Sequence, residues 1–221
     1  MRLWKKSFVS VAFASSLLLS GCVNGESPEQ EIFETLEKVV GLEESFETQQ
    51  EPLLELEQKE KEVYNEIINL GMKEFDQIVK LSEEGLSLVE QREAAMHTEK
   101  ESIETAREQF EEVKNSIELL EDEELKKEAQ SLYQLMEKRY ESYMTLFNDY
   151  MAATELDKEL YVLFQTEDLT LEQLQLQINK INETYEKIQE SNQLFNDFTE
   201  QYNEAKFTFY KNAGLDVEYK N

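Results

Sequence analysis

Helix breakers are scarce in this chain. Its 221 residues include two prolines, Pro28 and Pro52, and six glycines, two of which fall within the first 25 residues. So few breakers across the remainder imply long helices, and no stretch shows the period-two alternation of a strand. Cysteine is nearly absent too: Cys22 stands alone, which excludes an intrachain disulfide and a thiolate metal cluster. His97 is the single histidine. A carboxylate-bridged di-iron bundle needs two Glu-x-x-His motifs, and Glu93 lies four residues before His97, so that site is excluded. A serine triad would have to pass through the same His97, with no nucleophile elbow near it. Bases are few, 22 against 49 acids, for a net charge of −27. Such a chain repels nucleic-acid phosphates, so no nucleic-acid partner is expected. No Gly-rich phosphate loop or calcium loop occurs, and no cofactor is implied.

What is present first is a leader. Residues 1–6 carry Arg2, Lys5 and Lys6 and no acid, and residues 8–19 are apolar except for Ser10, Ser15 and Ser16. That apolar run is too short to span a bilayer of roughly 30 Å as a helix. It matches the h-region of a secretory signal. Leu19-Ser20-Gly21-Cys22 follows as a lipobox: an aliphatic residue, two small ones that admit a peptidase to the backbone, and a thiol to carry a diacylglyceryl group. Cys22 is therefore expected to begin the mature protein as a lipid anchor on the outer face of the cytoplasmic membrane, facing the wall. Loss of the three leader bases takes the net charge from −27 to −30.

High acidity with few aromatics would point to disorder, but 12 Phe and 10 Tyr argue for a packed core. The expected organisation is a signal peptide over 1–21, lipidated Cys and tether over 22–28, a helical domain over 29–212 and a loose tail over 213–221. Ser27-Pro28-Glu29-Gln30 reads as a helix start, and Ile32, Leu36, Val39, Phe46, Leu53, Tyr64 and Ile67 form its apolar stripe. This helix is expected to bend at Pro52 and stop at Gly71. A second runs from Met72 to Leu120, its stripe weakening between Gln91 and Ser102. A third starts at Asp122 and runs to about Phe164. Thr170 with Gln173 forms a capping box for a fourth, closed by Gly214. Each helix has one apolar and one acidic face, which fits an all-α, elongated up-and-down four-helix bundle, with a three-helix rod as the alternative.

One stripe has two readings. Tyr140, Tyr143, Phe147 and Tyr150 recur at spacings of 3, 4 and 3, which is the core face of a bundle helix. The same rings, if open to solvent, would make a platform for stacking sugars. Acid pairs are too numerous to single out catalytic carboxylates, and solvated acids make poor general acids at neutral pH. No enzyme activity is expected.

The lipobox, Arg139-Tyr140-Glu141-Ser142-Tyr143, Leu160-Tyr161, Ile181-Asn182-Glu183-Thr184-Tyr185 and the closing run FNDFTEQYNEAKFTFYKNAG over 195–214 resemble the YkyA-like family of Bacillus-type bacteria. Its members are described as cell-wall-binding lipoproteins. The resemblance covers nearly the whole chain and implies a long four-helix bundle, with peptidoglycan or a wall polymer as ligand and no catalytic motif. The residues by themselves leave a second class open, a helical scaffold or regulator that docks on an envelope protein.

Labelling cells with a fatty-acid analogue should mark the wild-type chain and leave Cys22→Ala unmarked. Equal label in both would refute the anchor.

Overall fold

The computed structural model describes residues 27–70 and 74–215. The leader, the lipobox with Cys22, tether residues 23–26, Gly71 and the tail 216–221 lie outside these. Among the described residues every regular element is a helix: α1 (Pro28–Leu42), α2 (Glu44–Asn69), α3 (Phe75–Phe110), α4 (Val113–Leu119), α5 (Glu123–Phe164) and α6 (Leu171–Asn212). They form four rods, α1 with α2, α3 with α4, then α5 and α6. Paired residue numbers rise on one rod as they fall on the next. Gln50 meets Glu99 and Gln77 meets Glu66 across α2 and α3; Arg139 meets Thr199 and Tyr185 meets Asp157 across α5 and α6. The rods are therefore antiparallel, and this is the expected four-helix up-and-down bundle. At 42 residues each, α5 and α6 are about 63 Å long.

The helix ends follow local chemistry. The Ser27 hydroxyl accepts the Gln30 N–H with Pro28 at the first helical position, and Asp122 accepts from the Glu124 and Leu125 N–H groups. Thr170 and Gln173 complete a reciprocal capping box. The Gln30 side chain instead donates to Glu34, so the first cap has only its serine half. At the far end of α6, Gly214 has φ +69°, a left-handed conformation that suits glycine. The Leu215 N–H reaches the Tyr210 carbonyl and the Gly214 N–H the Lys211 carbonyl, which satisfies the last turn.

Two breaks depart from the sequence expectation. The first rod runs through Pro52 without ending there, as expected; the proline sits within the unbroken helix α2 with its exposed ring turned to solvent. The break falls at Glu43 instead, and Ser102 of α3 causes it. In a continuous helix the Phe46 N–H would bond to the Leu42 carbonyl. Here the Ser102 hydroxyl stands between them, donating to the Leu42 carbonyl at 2.7 Å and accepting from the Phe46 N–H at 3.2 Å. A side chain inserted into the helical ladder is a recognised cause of a kink. The second break, at Glu111 and Glu112, separates α3 from α4 where one helix to Leu120 was expected.

The core has two parts. A large cluster runs from Ile32, Leu36 and Phe209 at the anchor end to Leu53, Met96 and Tyr150 near the middle. A smaller one, with Val63, Ile78, Val89, Leu160 and Phe164, fills the opposite end. Closure around the axis is uneven. Each rod packs closely along its chain neighbour, while α6 meets α2 through longer side chains, as where the Phe46 and Phe195 rings lie 5.8 Å apart.

Gly85 of α3 is needed for close approach. A Cβ there would lie 2.2 Å from the Tyr161 ring, which is itself buried and bonded through its hydroxyl to the Glu60 carbonyl. Gly85→Ala should therefore lower stability by about 1–3 kcal/mol, the usual cost of overpacking, despite alanine's better helix propensity. Thermal unfolding followed by circular dichroism would check this; an unchanged or higher midpoint would contradict it.

Candidate functional site

Tyr140, Tyr143, Phe147 and Tyr150 are all buried, the first two with no exposure at all. Their rings pack with neighbours from other helices: Phe46 lies edge-on to Tyr143 at 5.7 Å, and Phe110 to Tyr140 at 6.0 Å. Of the two readings of this stripe, the core describes where the rings are; none offers a face to a sugar. His97 is exposed, with its ring 5.4 Å from that of Phe147. Among the described residues the exposed large hydrophobic side chains are aliphatic apart from Phe207. The surface depressions are shallow; one is lined by Glu186, Gln189, Glu190, Gln193, Leu194 and Asp197 of α6 alone. No described helix is long and apolar enough to cross a membrane, and among the described residues no group of acids or His97 is arranged to hold a metal ion.

The concentrated polar chemistry lies between the two core clusters, and all four rods contribute. Arg92 of α3 is 1% exposed. Its Nε donates to the Tyr150 hydroxyl at 2.8 Å, one terminal nitrogen to Glu60 and, at 3.0 Å, to Asp157, and the other to the Tyr185 hydroxyl at 2.8 Å. Tyr185 donates in turn to Asp157 at 2.9 Å, and Tyr150 to Glu57 at 2.8 Å. One guanidinium thus faces two buried carboxylates. Burial pushes Glu60 up to about 7, with Arg92 opposing and Asp157 adding to the shift; burial raises Asp157 as well. The layer is most comfortable with one proton retained among its carboxylates.

A second carboxyl lacks even that cation. Glu99, 2% exposed, accepts a 2.7 Å hydrogen bond from Gln50 and forms no ion pair among the described residues. Burial, with Glu57 nearby, pushes it up to about 8. Further toward the anchor end, Arg139 of α5 grips Glu43 with two 2.7 Å bonds, clamping the residue at which α1 passes into α2. Lys206 and Tyr210 of α6 both reach Glu37 of α1, each at 2.9 Å. The hydroxyls of Tyr140, Tyr143 and Tyr202 are buried and meet no hydrogen-bond partner among the described residues. These groups tie the helices to one another.

Sequence reading did not single out Arg92, Glu60, Glu99 or Asp157, and met Arg139 only within the run that carries the family resemblance. A trace was present. The α3 stripe weakens where Arg92 and Glu99, seven residues apart, occupy core positions between Val89, Met96 and Ile103.

Glu60 and Glu99 have folded-state values above the ordinary 4.5. Folding therefore favours their protonated forms. Their stabilising share is complete below about pH 4.5 and is lost as pH rises through about 7 to 8. The denaturant midpoint should fall between pH 5.5 and 8.5. Glu99→Gln should flatten part of that fall and be the more stable protein at the alkaline end, because the amide keeps an acceptor for Gln50 and cannot ionise. An identical pH slope in both proteins would contradict the assignment.

Comparison with known proteins adds to this geometry. The model of the YkyA family, described as "Putative cell-wall binding lipoprotein", matches residues 27–212. A Bacillus subtilis (strain 168) protein, "Uncharacterized lipoprotein YkyA", is 38% identical over 205 residues, covering 93% of this chain and 92% of its own. A 1.6 Å crystal structure of a conserved Staphylococcus aureus protein of unknown function superposes with a TM-score of 0.69 at 18% identity, over 86% of this chain and 98% of that one. That likeness is one of fold. The matching family model and the Bacillus relative establish that this chain belongs to the YkyA family of lipoproteins.

Proposed function

We propose that this protein is a lipid-anchored, non-catalytic binding protein of the outer face of the cytoplasmic membrane, with cell-wall polymer as its ligand. The observation that carries the reading is the family match over residues 27–212, joined to a lipobox at Leu19–Cys22 directly ahead of it. With Cys22 acylated, Ser27 begins the bundle five residues from the membrane. The rods then place the turn between α5 and α6 about 60 Å further out. A charge near −30 opposes contact with anionic wall polymers, so binding uses either uncharged glycan or divalent cations that bridge acid to phosphate. The buried aromatic stripe leaves stacking on Tyr140, Tyr143, Phe147 and Tyr150 out of this contact.

One observation favours a second reading. Exposed apolar residues such as Leu54, Ile68, Val162 and Leu176 are aliphatic, the composition of a helix-on-helix contact with an envelope protein.

Co-sedimentation of the purified lipoprotein in detergent with peptidoglycan, with and without attached polymers, separates these. Binding that survives high salt and chelator supports direct contact with the glycan. Loss on chelation assigns binding to cation bridging, and no sedimentation in any condition overturns wall binding.

A further inference from the structure

One seam inside the bundle carries more carboxyls than its single guanidinium can neutralise. The inward positions of α2 alternate by four and three, from Phe46 through Gln50, Leu53, Glu57, Glu60 and Tyr64 to Ile67. The middle of that stripe is polar. Leu53 is the one fully buried apolar side chain between Phe46 and Val63, and Leu56 is half-buried. α3 answers with Val89, Arg92, Met96, Glu99 and Ile103, all buried. Across the seam Gln50 meets Glu99 and Glu60 meets Arg92.

The ionisable neighbours come from every rod. Around Glu60 stand Arg92 of α3, Tyr150, Asp157 and Tyr161 of α5, Tyr185 of α6, and Glu57 of α2 itself. Around Glu99 lie Gln50 and Glu57 of α2 and the Tyr143 hydroxyl of α5; Lys100, next in sequence, turns to Glu104. Burial holds the tyrosine hydroxyls neutral. Ionised together, Glu57, Glu60, Asp157 and Glu99 would set four negative charges against one positive. Protons make up the deficit while the seam is closed, because burial pushes Glu60 up to about 7 and Glu99 up to about 8 and raises Asp157. Exposed to water the glutamates return toward 4.5, so opening releases protons and is favoured as pH rises.

α2 is the rod that gives way. Between its polar residues α3 keeps Val89, Met96 and Ile103, and α5 buries apolar groups along its length to Phe164. The same stretch of α2 has Leu53 alone, and Pro52 leaves its helix one ladder bond short. α2 also begins at the Glu43 break, where Ser102 already interrupts the ladder.

We infer that α2 is a pH-responsive rod, docked on α3 and α5 while Glu60 and Glu99 carry protons and released between Gln50 and Glu60 as they ionise. The step is local, because the two apolar clusters on either side of the polar stretch hold the rest of the bundle. It does not depend on the wall as ligand, and failure of wall sedimentation leaves its test unaffected.

The test is a distance between nitroxide labels on the full lipoprotein in detergent, whose Cys22 takes no label once acylated. Labels on Glu55→Cys of α2 and Asn148→Cys of α5, both exposed positions, should give one short distance at pH 5.5. At pH 8.5 a second, longer distance should appear, its share rising about tenfold or more. A control pair on Asn148→Cys and Lys180→Cys, between α5 and α6, should not change, which separates release of α2 from unfolding. Glu60→Gln combined with Glu99→Gln keeps the shapes, cannot ionise, and should hold the short distance at both pH values. An unchanged 55–148 distance at pH 8.5, equal lengthening of both pairs, or release of the double variant to the wild-type extent overturns the inference. Should the double variant fail to fold, the two label pairs in the otherwise wild-type chain decide the matter alone.

Discussion

A guanidinium buried to 1% exposure cannot be left unpaired, and this requirement organises the bundle. Arg92 sits on α3, but its partners Glu60, Tyr150, Asp157 and Tyr185 come from the other three rods. Sliding any rod by one turn, about 5.4 Å, would strip at least one of these bonds and strand a charge in a low-dielectric interior. Apolar stripes alone tolerate such slips, because leucine packs nearly as well against one methyl as the next. The polar layer does not. It fixes register where the hydrophobic contacts are permissive, at the cost of holding two carboxylates beside one cation.

The same logic recurs toward the start of α1. Ser102 and Arg139 both act on the junction between α1 and α2, the serine by occupying the Leu42–Phe46 step and the arginine by gripping Glu43. α1 is only 15 residues long, and it is the helix from which the tether leads. Its hold on the bundle combines buried Ile32, Phe33, Leu36 and Val39 with polar contacts from α6 to Glu37. α1 is therefore held by contacts to α3, α5 and α6 and not by the α1–α2 junction alone.

How much of this was legible depends on the range of the interaction. The caps at Ser27, Asp122 and Thr170 were readable because donor and acceptor lie within three residues of each other. The four rods followed from apolar periodicity and scarce breakers, which are also local. The break at Glu43 was not legible, because the hydroxyl that causes it lies 56 residues further along the chain, from Phe46 to Ser102. Pro52 was expected to bend the helix without ending it, and it does stay inside α2, where on an exposed face water can serve the Thr48 carbonyl that its missing N–H leaves unbonded. Arg92 and Glu99 showed only as a weakening of the α3 stripe. A polar residue at a core position announces that a partner exists, but the partners lie 32 to 93 residues away, on Glu60 and Tyr185.

The uneven closure of the bundle ties these points to its surface. Where the layer binds Tyr185, α6 is drawn inward to Arg92 and Asp157. Beyond it, toward Leu171, Gln177 is the only α6 residue that is fully buried, and Leu174, Ile178 and Ile181 are half-covered. An acidic chain would ordinarily place carboxylates over such a flank to keep it solvated, as it does along α2 with Glu55, Glu62 and Glu66. Here the positions hold amides and aliphatic side chains instead. Amides give up less solvation than carboxylates when covered, and burial of the aliphatic groups is favourable at roughly 25 cal/mol per Å². The half of α6 beyond the polar layer is thus a part of this protein's surface whose chemistry tolerates being covered.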